Sequence, residues 1–435
     1  MRVAIVGTGI AGHAAAMALK AAGHNLVVYE REARAGGHAA TVDIDYDGTP
    51  VTVDTGFIVY NILNYPHLTA FFEWAGVKTE ASNMSFAVSA NRGAFEWCGR
   101  DGKDVFSGLF AQKRNLASPS FLWMLRDILR FQKTARADRV AGAIGPACLG
   151  DYLVRHGFSG RLRDDYLVPM GAAIWSMSPR AMLDFPAQSF IDFFDNHCLL
   201  QWDRPKWRTV TGGSRSYVRK VQEMLGDCVR LGCGVARVVR TPGRVEVTDA
   251  RGKTEGFDHV VLATHAPHAL AMLGDASASE RDILGAMRTS VNDVVLHRDP
   301  ALMPRRKAAW AAWNFLRDGD ADNRQVAVTY WMNTLQNIDP ARPLFITLNP
   351  PFEPDPKLVF ARYAYAHPQY DAPALVARDR LGEIQGQQRT WFCGAWTAHG
   401  FHEDGMASGL AVAARLGARP PWEVAAPVRM LEAAE

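Results

Sequence analysis

The stretch from Val3 to Glu30 constrains this chain more than any other. Val3-Ala4-Ile5-Val6 is a short apolar run that stops at Gly7-Thr8-Gly9-Ile10-Ala11-Gly12. An alanine-rich segment continues to Ala22, and a second apolar run, Leu26-Val27-Val28-Tyr29, ends on Glu30. The pattern predicts strand, glycine-rich turn, helix and strand, with an acid at the tip of the second strand. Each glycine meets a separate physical need. Gly7 makes the tight turn, Gly9 admits a pyrophosphate to the backbone, and Gly12 lets the helix pack close to the sheet. The free N–H groups at the helix start, those of Ile10 and Ala11 included, and its partial positive charge suit phosphates. Glu30, eighteen residues past Gly12 with Arg31 beside it, is placed to accept hydrogen bonds from an adenosine ribose. A bare GxGxxG is met in ordinary loops. Here the strands, the small helix residues (Ala16 and Leu19 toward the sheet) and the acid all agree on a dinucleotide site.

A chain of 435 residues is too long for one simple core, so two domains are expected, and they need not be contiguous. Apolar residues at 48% and charged residues at 21% are values for a soluble globular protein. The net charge of +3 is too small to argue for nucleic acid. The cysteines at 98, 148, 198, 228, 233 and 393 form no CxxC pair, which favours reduced thiols over a disulfide framework or zinc site. The apolar run begins at Val3, so no signal peptide is expected, and no apolar run reaches the roughly 18 residues of a membrane span. A cytoplasmic protein is the expectation.

Farther along, Arg34-Ala35-Gly36-Gly37-His38 offers a second close backbone approach just beyond the ribose acid, and a strand over 49–53 runs into Asp54-Thr55-Gly56-Phe57. Gly7–Gly12, Glu30, Arg34/Gly36/Gly37 and Asp54-Thr55-Gly56 resemble the amino-terminal half of flavin-containing amine oxidases and phytoene-desaturase-type flavoproteins. That resemblance implies an α/β amine-oxidase-like two-domain flavoprotein. Its Rossmann-type FAD-binding domain would comprise residues 1–60, 209–270 and 385–435. A discontinuous α+β substrate-binding domain would comprise 61–208 and 271–384. It also implies that the backbone near Val235 contacts adenine. Near the C-terminus, Trp391-Phe392-Cys393-Gly394 reads as a short strand, and Gly400-Phe401-His402-Glu403-Asp404-Gly405 leads into a small-residue helix from Met406. In the family such a helix points its N-terminus at the flavin ring, where a helix dipole stabilises negative charge. The expected cofactor contacts are therefore Gly7, Gly9, Ile10, Ala11, Gly12, Glu30, Arg31, Gly36, Gly37, His38, Thr55, Gly56, Val235, Gly394, Asp404, Gly405 and Met406. Phosphate and ring sites nearly 400 residues apart favour FAD over a nicotinamide, and no second βαβαβ half follows Glu30.

Longer stretches, among them 53–59, Tyr65-Pro66, Met84-Ser85-Phe86, 169–175, Asn196-His197 and 400–405, are similar to a bacterial group of predicted NAD/FAD-binding oxidoreductases. These are associated with cyclopropane-fatty-acid-synthase-like methyltransferases, and some desaturate methylated fatty acyl chains. The resemblance implies an FAD-dependent oxidoreductase acting on a lipid, and association with a lipid methyltransferase. Other readings stay open: an amine oxidase with Trp391 and Trp396 as an aromatic cage, a redox-neutral flavin isomerase, or a non-catalytic flavin-binding partner.

Catalytic candidates lie next to the expected ring. His402 and Glu403 could take a proton if desaturation loses H⁺ as well as hydride, or they could only order the loop. Lys307 is a weak counterpart for a lysine near the ring. His399, His402 and Glu403 are spaced H-x-x-H-E, not HExxH, so no metal is expected. Asn196-His197 and the apolar helix around Trp175 either line a pocket or pack in a core. Trp310, Trp313, Asn314, Tyr330, Trp331 and Asn333 are expected on one face of a sheet. Eight of the 23 prolines fall between 340 and 373, predicting connecting loop. A helix over 119–139 starts at Ser118-Pro119. From Gln112 to Arg139 there are seven basic and two acidic residues. Such a helix either lies on an anionic inner-membrane surface or packs its apolar side on the core with its charges solvated.

Overall fold

The computed structural model describes residues 1–100, 104–201, 205–317 and 327–424. The final stretch assigned above to the nucleotide domain, 425–435, lies outside them. Strands Arg2–Val6 and Asn25–Tyr29 are apolar almost throughout, as strands covered on both faces must be. They sit inside a five-stranded parallel sheet ordered Val229–Arg230, Asn25–Tyr29, Arg2–Val6, His259–Leu262, Thr390–Phe392. Alternation sends Val3, Ile5, Leu26 and Val28 to one core and Ala4, Val6, Val27 and Tyr29 to the other. Helices Ile10–Ala21, Arg215–Leu225 and His402–Arg415 cover the first face. An antiparallel meander (Val235–Thr241, Arg244–Asp249, Thr254–Phe257) and helices Ala266–Met272 and Ala278–Ala286 cover the second.

Helix Ile10–Ala21 is buried from Ile10 through Leu19 because it lies between the sheet and helix His402–Arg415. Small residues make this sandwich achievable. A Cβ on Gly12 would come within 1.9 Å of the Gly7 carbonyl oxygen, and one on Gly409 within 2.1 Å of the Ala11 oxygen. The two ends of the sequence thus meet along one helix pair.

A second, seven-stranded sheet runs Val359–Pro368, Thr289–His297, Phe345–Leu348, Ala327–Trp331, Trp313–Arg317, Phe86–Ala90, Phe95–Gly99. Hairpin Thr41–Tyr46/Thr49–Asp54 packs on one face through Tyr46, Val51 and Val53. A helical layer packs on the other through Phe121, Phe131, Trp175 and Phe190. Two expectations change here. The proline-rich region contains strands Phe345–Leu348 and Val359–Pro368 rather than loop alone, because its prolines stand outside the strands or, as Pro368, at the end of an edge strand. Nor do the aromatic and Asn residues share one face. Trp313 and Tyr330 pair across their strands and pack toward the helices, whereas Asn314, next in sequence, points the other way and bonds Ala311 and Thr329 carbonyls. Trp310 lies outside the strands, and Asn333 lies in the short helix Met332–Leu335.

The basic segment forms helix Pro119–Ala141. Ser118 accepts the Phe121 N–H, and Gly142 closes it in the left-handed region at φ 64°. Helix Val168–Trp175 follows a π-helical turn, Arg163–Leu167, and is buried except at Ile174. All six cysteines are free thiols. Among the described residues no helix is long and apolar enough to cross a membrane, and no three His, Cys, Asp or Glu side chains converge as a metal site.

Candidate functional site

The glycine-rich turn leaves a cradle. Gly7, at φ 104°, has no room for a Cβ, which would lie 2.7 Å from the Ala263 oxygen. At Gly9, by contrast, nothing lies within 4 Å of the Cβ position. The first intrahelical bond in this turn runs from His13 N to Gly9 O, so the N–H groups of Ile10, Ala11 and Gly12 have no acceptor within the helix. No side chain caps this end and no acid stands in its first turn. An uncompensated helix N-terminus opening on free space suits a diphosphate.

The surrounding segments converge there. Gly37 packs against Gly9, whose Cα would lie 3.1 Å from a Gly37 Cβ, and Gly36 N donates to Thr8 O at 3.1 Å. Glu30 is buried. Its Oε2 accepts the Thr8 N–H at 3.0 Å and the Thr8 hydroxyl, and its Oε1 accepts Glu32 N at 2.9 Å. Oε1 has capacity for a further donor. Arg31 is exposed and bonds Glu32. Cys233 N donates to the Glu30 carbonyl at 2.7 Å, which brings Val235 at the head of its strand to the same end.

The expected ring end is the place where helix His402–Arg415 meets helix Ile10–Ala21. It begins at His402, four residues before the expected Met406, so His402 and Glu403 are its first turn rather than its approach. A Cβ on Gly405 would fall 2.7 Å from the Ile10 side chain, and Met406 is fully buried. Gly405 N makes the first bond, to Phe401 O, and this leaves the N–H groups of 402–404 without helical acceptors. Gly394 N donates to Ser408 Oγ at 2.9 Å, tying the last strand to this helix. Asp404 accepts Phe401 N at 2.9 Å and His399 N at 3.1 Å, and burial pushes its carboxyl up to about 6. Segments 38–40 and 55–57 run side by side: Thr55 N donates to Ala40 O, Phe57 N to His38 O, and a Gly56 Cβ would lie 2.1 Å from the His38 oxygen.

The two catalytic candidates have different surroundings. The His402 ring stacks flat on Phe57, centroids 3.9 Å apart at 8°, and its Nε2 is 2.6 Å from the Tyr217 hydroxyl. Burial drives its pKa down to about 3, so it is neutral at physiological pH. Glu403 instead reaches helix Pro66–Trp74. Its oxygens accept His67 N at 2.9 Å and Leu68 N at 3.0 Å, and Oε1 lies 2.6 Å from His67 Nδ1. That helix has Tyr65 at its N-cap with no side-chain cap bond, so Glu403 does the capping.

Sequence reasoning did not reach the partners of three groups. Asp54 is buried and joins distant elements: it accepts Ser214 N and Oγ, the Thr41 hydroxyl and Gln336 Nε2, and burial raises its pKa. Tyr217, the partner of His402, is fully buried. His38, the only member of its cluster anticipated, lies with its ring centroid 5.8 Å from His265 and 5.6 Å from His367, while Tyr365 bonds Thr55 Oγ1. His38 Nε2 is buried without a partner. No local spacing relates these residues, so only the glycines around His38 marked the place.

Burial lowers His38, His265 and His367 to about 4. With His402 they are neutral in the fold and protonate on unfolding below about pH 6.5, so stability is lost as pH falls from there toward 4. Each contributes up to about 1.4 kcal/mol per pH unit. Buried Asp404, Asp54 and Asp165 work the opposite way, but His13, His197 and His297, also lowered to about 4 by burial, add to the four imidazoles, which together outnumber these carboxyls. Thermal melts of the apoprotein should show Tm falling from pH 7 to pH 5, and His367→Gln should flatten that slope by about one proton.

Two other candidates stand elsewhere. Trp396 is buried in the nucleotide-side core with Nε1 donating to Thr264 O, and Trp391 packs beside His259, so these two do not form a cage. Lys307 is exposed beside Trp310.

Half-buried apolar side chains are found on the helical-layer core, and one of them, Phe401, stands directly before the helix start at His402. Phe401 stacks on Phe193 at 5.2 Å, and His197 stacks on Phe193 at 3.9 Å. Phe86, Ile174, Trp313, Tyr330 and Phe401 all pack on the helical-layer core. Trp175 lies within that core, stacked on Phe185.

A family model described as flavin containing amine oxidoreductase matches residues 10–334. No curated protein matches the chain. Solved structures similar to it include wild-type putrescine oxidase bound to putrescine (17% identity, 96% of this chain and 99% of that one, TM-score 0.66). Cyclohexylamine oxidase from Brevibacterium oxydans IH-35A is similar too (15% identity, 96% and 99%, TM-score 0.67). So is a CLA-producing fatty acid isomerase from P. acnes (15% identity, 95% and 98%, TM-score 0.60). At such identities the likeness is one of fold. The uncapped helix starts, the open space at Gly9 and the His38 Nε2 without a partner among the described residues fit FAD, which the Gly7–Gly12 turn, Glu30 and the first turn at His402 would hold. Bound there, FAD supplies a two-electron hydride acceptor. The chain belongs to the flavin-containing amine oxidoreductase family and is an FAD-dependent oxidoreductase.

Proposed function

We propose that this enzyme removes hydride from a largely apolar substrate, a methylated or unsaturated fatty acyl chain. The observation that carries the reading is the set Phe86, Ile174, Trp313, Tyr330 and Phe401, half-buried apolar side chains that pack on one apolar core, Phe401 standing directly before the helix start at His402. These side chains present no carboxylate to an ammonium group and no base to deprotonate it, whereas an acyl chain gains roughly 0.8 kcal/mol per methylene buried against them. The similar structures are named for amines and for a fatty acid, so they leave the choice to this lining. Within the reading, the chain's residues orient a C–H bond and exclude water. His402, neutral and bonded to Tyr217, is the group placed to hold a proton at its ring. The methyl branch of such a substrate would be installed beforehand by a lipid methyltransferase.

The test is anaerobic titration of the bound flavin, combined with lipid profiling of cells with and without the protein. Acyl lipids should bleach the visible flavin band while polyamines leave it unchanged. Bleaching by polyamines alone would replace this reading with an amine oxidase. Lipid turnover without net bleaching would indicate a redox-neutral isomerase.

A further inference from the structure

The outward side of helix Pro119–Ala141 is unlike an ordinary solvated face. Its inward side is Phe121, Met124, Asp127, Phe131 and Ala135. The opposite stripe, at alternating spacings of four and three, reads Leu122, Arg126, Leu129, Lys133, Arg136 and Val140, with Trp123 alongside. Leu122, Trp123, Leu129 and Val140 are 46% to 83% exposed. Both acids of the helix are elsewhere: Asp127 is buried, and Asp138 bonds Tyr152.

The tertiary structure also sorts the cations. Arg130 pairs with Asp127, Arg136 with Asp195, and Arg139 with Asp192 and Asp195, so these three serve the domain's own packing. No acid among the described residues pairs with Lys113, Arg114, Arg126 or Lys133. Arg126 lies over the Trp123 ring at 4.7 Å. Just before the helix, Phe106 is 74% exposed and Leu116 58%. Large apolar side chains and unneutralised cations therefore occupy the same helix and the segment leading into it, with no acid on the stripe.

We infer that this face docks on a lipid bilayer whose surface carries anionic headgroups. A helix of this kind lies in the interface plane, its apolar side chains among the acyl chains and its cations at the headgroups, with no span needed. A tryptophan with an arginine over its ring suits that boundary. A second copy is a poor occupant, because a two-fold contact would set the cations of one stripe against their own copies. Nucleic acid would take the cations but leave Leu129 and Val140 in water. The core beneath the helix is the one on which Trp313, Tyr330 and Phe401 pack, so docking brings that apolar core to the membrane.

The experiment is co-sedimentation of the flavin-loaded full chain with phosphatidylcholine vesicles, alone or mixed with phosphatidylglycerol. Wild type should sediment with the mixed vesicles, be released by salt, and shift Trp123 emission to the blue. Each cation at the surface is worth about fivefold in partitioning, so Arg126→Glu with Lys133→Glu should lower binding more than tenfold. Leu129→Ser with Trp123→Ser should weaken binding at low salt as well. All four positions are exposed, so flavin content should hold; if the charge variant fails to fold, Lys113→Glu with Arg114→Glu replaces it. Equal sedimentation of variant and wild type, indifference to lipid charge, or a self-association abolished by the same substitutions would each overturn the inference. Binding is read without turnover, so failure here leaves the substrate reading standing, and the reverse.

Discussion

Gly9→Ala should leave the apoprotein's stability within about 1 kcal/mol of wild type while weakening FAD binding roughly ten- to a hundredfold. The fold tolerates the change: φ is −63° and ψ 175°, a conformation alanine adopts, and the added Cβ meets no protein atom within 4 Å. Alanine is a poorer N-cap than glycine, costing about 0.5–1 kcal/mol, but stiffening the unfolded chain offsets about 0.4–1 kcal/mol of that. The methyl would stand in the space the diphosphate needs, and overpacking of this kind costs about 1–3 kcal/mol. Gly12→Ala is the contrast. Its Cβ would lie 1.9 Å from the Gly7 oxygen, so the turn itself must move and the fold should lose several kcal/mol. Flavin absorbance per protein and apoprotein melting separate the two. A Gly9→Ala protein that retains flavin at wild-type affinity would place the cofactor elsewhere.

The second large effect is expected at Glu403. Its carboxylate caps helix Pro66–Trp74 from 336 residues away, through His67 N, and from 335 away, through Leu68 N, with Leu68 fully buried. Glu403→Ala leaves these two donors unmet at about 1–3 kcal/mol each, so a total loss of about 2–6 kcal/mol is expected in urea or thermal unfolding. Glu403→Gln keeps one accepting oxygen and should fall between. Both variants should reduce their remaining bound flavin at the wild-type rate when substrate is added anaerobically. A Gln variant of near wild-type stability whose flavin reduction slows more than tenfold would assign proton transfer to this residue as well.

His402 and Glu403 are neighbours in one sequence motif, and the motif does not tell them apart. Helix geometry does. Successive side chains diverge by about 100°, so one stacks on Phe57 beneath Tyr217 and the other leaves for a different helix. Strand alternation likewise separates Trp313 from Asn314, and helix geometry divides the cations of helix Pro119–Ala141 into those that pair with Asp127, Asp192 and Asp195 and those that do not.

What the sequence determined by itself was local and periodic: the turn from Gly7 to Gly12, the buried strands beside it, the acid at Glu30, the Ser118 cap and the apolar helix ending at Trp175. These follow from backbone sterics and from patterns that repeat within a few residues. Tertiary structure alone decided the Asp54 junction with Ser214 and Gln336, the neutral cluster of His38, His265 and His367, and the Tyr217–His402 pair. Their partners lie 160 or more residues apart, and burial, which sets their protonation, is a property of the packed core rather than of any stretch of chain.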